Sequence, residues 1–191
     1  MYMRDLKEIT PSLTLVLKSK VDEKRKKGVD VVSFTVGEPD FDTPDYVKLG
    51  AIDAILKNFT KYTSGLGIPE LRQAIVEKLK KENELDYKIE NIIVSNGGKQ
   101  SISGAIFALI NPGDEVLIPK PYWLSYPAMV NLAGGKSVYL ETTAETGFKI
   151  TPEQLEKSIT SKTKLLLLNS PCNPTGRSEE HTSELQSRQV I

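Results

Sequence analysis

Cysteine, histidine and tryptophan each occur once among the 191 residues, as Cys172, His181 and Trp123. A single cysteine excludes an internal disulfide framework and suits a reducing compartment, so a cytoplasmic location is expected. An excess of one charge is also missing: 25 Lys and Arg balance 25 Asp and Glu. With no net field to attract nucleic acid or an anionic membrane, neither is expected as a partner, and small molecules or other protein chains are. Long apolar runs are absent too, the longest aliphatic block being residues 165–168. No segment reads as a membrane span. Residues 1–20 mix Arg4, Asp5, Lys7 and Glu8 with apolar residues and do not read as a signal peptide.

What is present is ordinary globular composition, 39% hydrophobic and 26% charged, with hydrophobic periodicity that alternates along the chain. Residues 12–27 read as a helix closing on Lys24-Arg25-Lys26-Lys27 before Gly28. The β-branched run 29–36 reads as a strand running into Gly37-Glu38-Pro39-Asp40. Helices open at Thr43-Pro44-Asp45 and at Pro69. Strands are expected at 92–95, 115–118, 137–140 and 164–169, and helices at 99–110, 123–133 and 151–159. The last of these opens on the capping box Thr151-Pro152-Glu153-Gln154. The alternation predicts an α/β fold with a mostly parallel sheet, and the 164–169 run, apolar from Leu165 to Leu168, suits a sheet covered on both faces.

Three loops follow expected strands and carry chemistry. Asn96-Gly97-Gly98-Lys99-Gln100 opens a helix, where small residues bring N-H groups to bear on an anion such as phosphate. A plain glycine turn fits the same residues. Pro121-Tyr122-Trp123 follows the next strand, at the edge where open α/β folds bind ligands. Trp123 either stacks on a flat ring there or packs in the core. Asn169-Ser170-Pro171-Cys172-Asn173-Pro174-Thr175-Gly176 follows a third strand. Asn before Pro is conformationally restricted, so the Asn173 amide is available as an aimed donor or acceptor.

These loops, together with Val36-Gly37-Glu38-Pro39-Asp40-Phe41-Asp42-Thr43-Pro44 and Lys61-Tyr62 followed by Gly67-Ile68-Pro69-Glu70-Leu71-Arg72, resemble the fold-type I aminotransferases. The resemblance is to the branch that contains bacterial aspartate aminotransferases and runs from about Leu6 to Gly176. It implies a pyridoxal 5'-phosphate cofactor, amino acid and 2-oxo acid substrates, aspartate and 2-oxoglutarate first among them, and a homodimer. Backbone donors at Gly98, Lys99 and Gln100 would hold the cofactor phosphate, Trp123 would stack on the pyridine ring, and Asn173 would bond the ring hydroxyl oxygen. Gly37 would sit at the substrate carboxylate, with Trp123 and Asn173 also facing substrate, and Tyr62 would reach the partner subunit's phosphate. Packing remains an alternative for Tyr62, and a bare turn for Gly37.

The resemblance also implies a division into an N-terminal arm with part of a small domain (1–45) and the first part of a large cofactor domain (46–176). The Schiff-base lysine, the aspartate at the pyridine nitrogen and the arginine at the substrate carboxylate fall beyond Gly176 in that family, so no catalytic lysine is expected here and the polypeptide is expected to be inactive by itself. The strand at 92–95 is expected to lack its neighbour, while the other three remain adjacent. Residues 177–191 lack hydrophobic periodicity, and 177–187 resemble a translated sequencing adapter. This tail is expected to be non-native, exposed and without core partners, and His181 is assigned neither catalysis nor metal binding. A β-lyase of the same fold and a non-catalytic phosphate-binding or dimerising remnant stay open as alternatives.

Overall fold

The computed structural model describes residues 13–35 and 37–178. The chain divides into two units, one of Leu13–Ser101 and another containing the residues from Ile102 onward.

In the first unit, helices α1 (Leu13–Lys26), α2 (Asp45–Leu56) and α3 (Pro69–Asn83) form where the sequence places them. Pro69 opens α3 with its fixed φ, and Glu84 closes it in a left-handed conformation, its N-H donating to the Leu79 carbonyl. Gly67, just before α3, has φ +100°, and a Cβ there would lie 2.6 Å from Val94 Cγ2. The position therefore needs glycine for both conformation and space. The Arg72 side chain of α3 donates from Nε to the Ile92 carbonyl at 3.0 Å and from Nη2 to the Ile89 carbonyl at 2.5 Å.

Two expected strands join no sheet among the described residues, and for 92–95 the lack of a neighbour is as expected, the other three strands being adjacent. Residues 29–35 are described without regular structure, Val36 lying outside the described residues. The segment 92–95 follows a short 3-10 turn (Ile89–Asn91) and joins no ladder among the described residues. Its Val94 N-H bonds the Leu66 carbonyl at 2.9 Å instead. β-Branched composition signals extended backbone, but a strand also needs a partner distant in sequence, and that partner is not written locally.

The second unit is an α/β layer. Strands β1 (Glu115–Pro119), β2 (Lys136–Leu140) and β3 (Thr163–Leu166) form a parallel sheet in the order β2-β1-β3. Helix α5 (Ser125–Ala133) connects β1 to β2, and α6 (Pro152–Ser158) lies between β2 and β3. The expected capping box opens α6: Gln154 N-H donates to Thr151 Oγ1 at 3.2 Å and Thr151 N-H to Gln154 Oε1 at 2.9 Å. Central β1 is buried from Glu115 through Ile118, as the middle of a covered parallel sheet should be. Val116 and Ile118 pack with Ile106, Ile110, Tyr126, Met129, Val130 and Ala133. Ile106 belongs to helix α4 (Gly97–Leu109), within which the division between the units falls. Full burial of such side chains contributes about 1.5–3 kcal/mol each, which is what fixes the sheet and the loops leaving its carboxyl edge. Gly134 caps α5 in the left-handed region, φ +83°.

Candidate functional site

At the carboxyl ends of β1 and β3 the chain opens into a cleft with a volume of about 130 Å³. Ile118, Pro119, Leu167 and Leu168 give it apolar walls, and Tyr122, Tyr126, Asn169, Cys172 and Asn173 bring polar groups into it. This is the edge at which open α/β sheets bind ligands. The loop after β3 is braced from within: the Asn173 N-H donates to Asn169 Oδ1 at 2.8 Å, and the Cys172 N-H donates to the Arg177 carbonyl at 2.7 Å. The Cys172 thiol reaches across to the Pro121 carbonyl at 3.5 Å, joining the loops that follow β3 and β1. The backbone of Asn173 is thus held by bonds that leave its side-chain amide for other partners.

Two aromatic groups shape the β1 side. Tyr122 stacks on Tyr139 of β2, centroids 5.2 Å apart and planes 12° from parallel, and Lys120 Nζ lies 5.1 Å from the Tyr139 ring centre. Burial, with the neighbouring Tyr139 hydroxyl, pushes the Tyr122 phenol up to about 12. Trp123 precedes α5 rather than starting it, and meets Tyr126 edge to face at 5.5 Å and 88°. Burial raises the Tyr126 phenol as well, with a contribution from Cys172. Both hydroxyls are consequently neutral donors at physiological pH.

Of the residues singled out in sequence, Asn173 lines this cleft, and Trp123 packs partly buried against the core beside Tyr126, without itself forming the lining. Gly98, Lys99 and Gln100 belong to the other unit's part of the chain, in the first turn of α4. There the Gln100 side-chain oxygen accepts from the Asn96 N-H at 2.5 Å, so part of the helix N-terminus is satisfied by its own residue. Gly37 is exposed and Tyr62 fully so, both also in the first unit. Tyr126 and Phe148 line the cleft but were not picked out in sequence. The spacing of Tyr126, Met129, Val130 and Ala133 on α5 does mark a buried face, whereas nothing local marks Phe148.

At the start of the tail Arg177 is exposed, as expected, and has no partner in the core cluster. Arg177 lines the cleft, its carbonyl accepts from Cys172, and its guanidinium lies beside Gly147. Its neighbours in the loop after β3 hold it there, a constraint that hydrophobic periodicity does not report. His181 and the rest of 179–191 lie outside the described residues. Among the described residues no group of three or more His, Cys, Asp or Glu is placed to hold a metal, and no helix is long and apolar enough to cross a membrane.

Sheet and cleft together define an α/β protein with an apolar-walled cleft at the carboxyl edge of parallel strands. A model of the family "Aminotransferase class I and II" matches residues 29–181, and the chain belongs to that family. It is 53% identical over 173 residues to a probable aspartate/prephenate aminotransferase of Rickettsia conorii, covering 91% of this chain and 43% of that protein. It is 49% identical over 171 residues to an aspartate aminotransferase of a Bacillus species, covering 90% and 44%. The solved structure of Thermus thermophilus aspartate aminotransferase with maleate superposes with a TM-score of 0.90 at 45% identity, over 98% of this chain and 50% of that one. The chain therefore spans less than half the length of these curated relatives.

Proposed function

We propose that the whole protein transfers an amino group between an amino acid and a 2-oxo acid with pyridoxal 5'-phosphate as cofactor, aspartate and 2-oxoglutarate being the substrate pair. The observation that carries this reading is the position of Asn173, on a braced loop in an apolar cleft at the sheet's carboxyl edge, in a chain of the aminotransferase family. The names of the relatives favour amino transfer over β-elimination.

The residues present fit a planar, oxygen-bearing pyridine. Aliphatic walls suit its ring faces, the Asn173 amide suits its ring hydroxyl, and the Tyr126 hydroxyl, on a side chain 8% exposed, has no hydrogen-bond partner among the described residues. Bound there, the cofactor supplies an electron sink for bond cleavage at the amino acid's α-carbon. Asn173 would bond the ring hydroxyl oxygen and Trp123 would stack on the ring. Backbone N-H groups at Gly98, Lys99 and Gln100 would hold the phosphate. Gly37, with Trp123 and Asn173, would meet the substrate. In a homodimer the exposed Tyr62 would reach the partner subunit's phosphate.

The lysine, aspartate and arginine that complete such a site belong, by the resemblance, to the part of the relatives that this chain does not span. The 191-residue polypeptide alone is therefore proposed to give no turnover. The test is to supply the whole protein with pyridoxal phosphate and aspartate and follow amino-group transfer to 2-oxoglutarate. Turnover by the whole protein and none by residues 1–191 is expected. A whole protein that eliminates from its substrate, or that leaves the amino acid untouched, would overturn the reading.

A further inference from the structure

Tyr126 is a buried aromatic whose ring is fully used and whose hydroxyl is not. The ring belongs to the core cluster with Met129 and Val130 and meets Trp123 edge to face. The side chain is 8% exposed and lines the cleft, yet its hydroxyl bonds no described residue. A hydroxyl that lines a cleft and bonds nothing within the protein is open to an acceptor that enters the cleft and displaces water. A phenylalanine would fill the same core position without offering that donor. Burial holds the phenol protonated, so it offers a proton and not a charge.

We propose that Tyr126 is a further ligand-contacting residue, whose hydroxyl donates a hydrogen bond to an acceptor atom of the aromatic anion held in the cleft. This rests on the pyridoxal phosphate reading above and adds to it a donor from α5 where that reading had only Asn173 and Trp123. Because the same ring abuts Trp123, the donor also ties the indole's position to the bound group. Tyr126 acts by binding and orienting, and it takes no proton from the substrate.

The experiment compares the whole protein with its Tyr126→Phe variant, which keeps the ring and removes only the oxygen. Pyridoxal phosphate is titrated by calorimetry, and 3-fluorotyrosine at position 126 is followed by fluorine NMR during the same titration. One lost hydrogen bond of about 0.5–1.5 kcal/mol corresponds to roughly 2- to 12-fold weaker binding. The inference expects a loss in that range, with the thermal midpoint of the cofactor-free variant unchanged, and a fluorine shift that saturates with cofactor. Equal affinity in the two proteins, or a fluorine signal unmoved at saturation, overturns the Tyr126 inference while leaving the cofactor reading intact. Absence of binding by the unaltered protein overturns both. If Tyr126→Phe fails to fold, the fluorine signal of the otherwise unaltered protein decides the matter alone.

Discussion

The carboxylate of Glu115 accepts a hydrogen bond from the Thr160 hydroxyl at 2.7 Å. Its other oxygen faces Lys136 Nζ at 3.4 Å. The first residue of β1 is thereby tied to β2 and to the turn entering β3, while its own N-H donates to the Lys162 carbonyl. The Thr160 bond, helped by Lys136 and Lys162, holds the Glu115 carboxyl below its usual range. A carboxyl whose folded pKa is depressed stabilises the fold above its unfolded pKa, and that contribution disappears as pH falls through the folded value. Glu115→Gln should therefore lower the urea midpoint at neutral pH and converge with the parent protein well below the carboxylate range. A deficit that persists unchanged in acid would contradict this.

Gly67→Ala should destabilise the first unit by about 1–3 kcal/mol, since it places a Cβ against Val94 and forces a left-handed conformation on alanine. Adding Val94→Ala should recover only the steric part. A double-mutant cycle on denaturant midpoints reads the coupling, and strictly additive losses would show that the Val94 contact is not what excludes a side chain.

Arg72→Lys keeps the charge but loses the forked donation to the Ile89 and Ile92 carbonyls. Losing such charge-assisted bonds should cost about 1–3 kcal/mol. Hydrogen exchange should accelerate most around residues 89–95, and protection there equal to the parent protein's would mean that Arg72 does not secure this segment.

How far the sequence alone reached depends on whether the deciding contact was local. The helices were found to within a few residues, because capping boxes and prolines such as Thr151-Gln154 and Pro69 act over one turn. Strands β1, β2 and β3 are legible because each carries apolar residues beside turn signals, although β3 spans Thr163–Leu166 and stops short of the expected Asn169. Residues 29–35 and 92–95 carry the same composition without pairing in a sheet among the described residues, and composition cannot supply a hydrogen-bond partner. At the site, Asn173 stood out because prolines surround it. Tyr126 did not, because a tyrosine on the buried face of a helix reads as core until its hydroxyl is seen without a partner. Arg177 is exposed, as its lack of periodicity suggests, while its bond to Cys172 in the preceding loop is a contact that periodicity does not report.

The central claim, that the cleft bearing Asn173 takes pyridoxal phosphate, is tested most directly by calorimetric titration of the cofactor into the whole protein and its Asn173→Ala variant. The bracing bond from the Asn173 N-H to Asn169 survives this substitution, so only the side-chain amide is removed. One saturable site per chain is predicted, with affinity roughly 5- to 30-fold weaker in the variant, corresponding to about 1–2 kcal/mol for the lost bond, and with an unchanged circular dichroism spectrum. Equal affinity in both proteins, or no saturable binding in either, would contradict the claim.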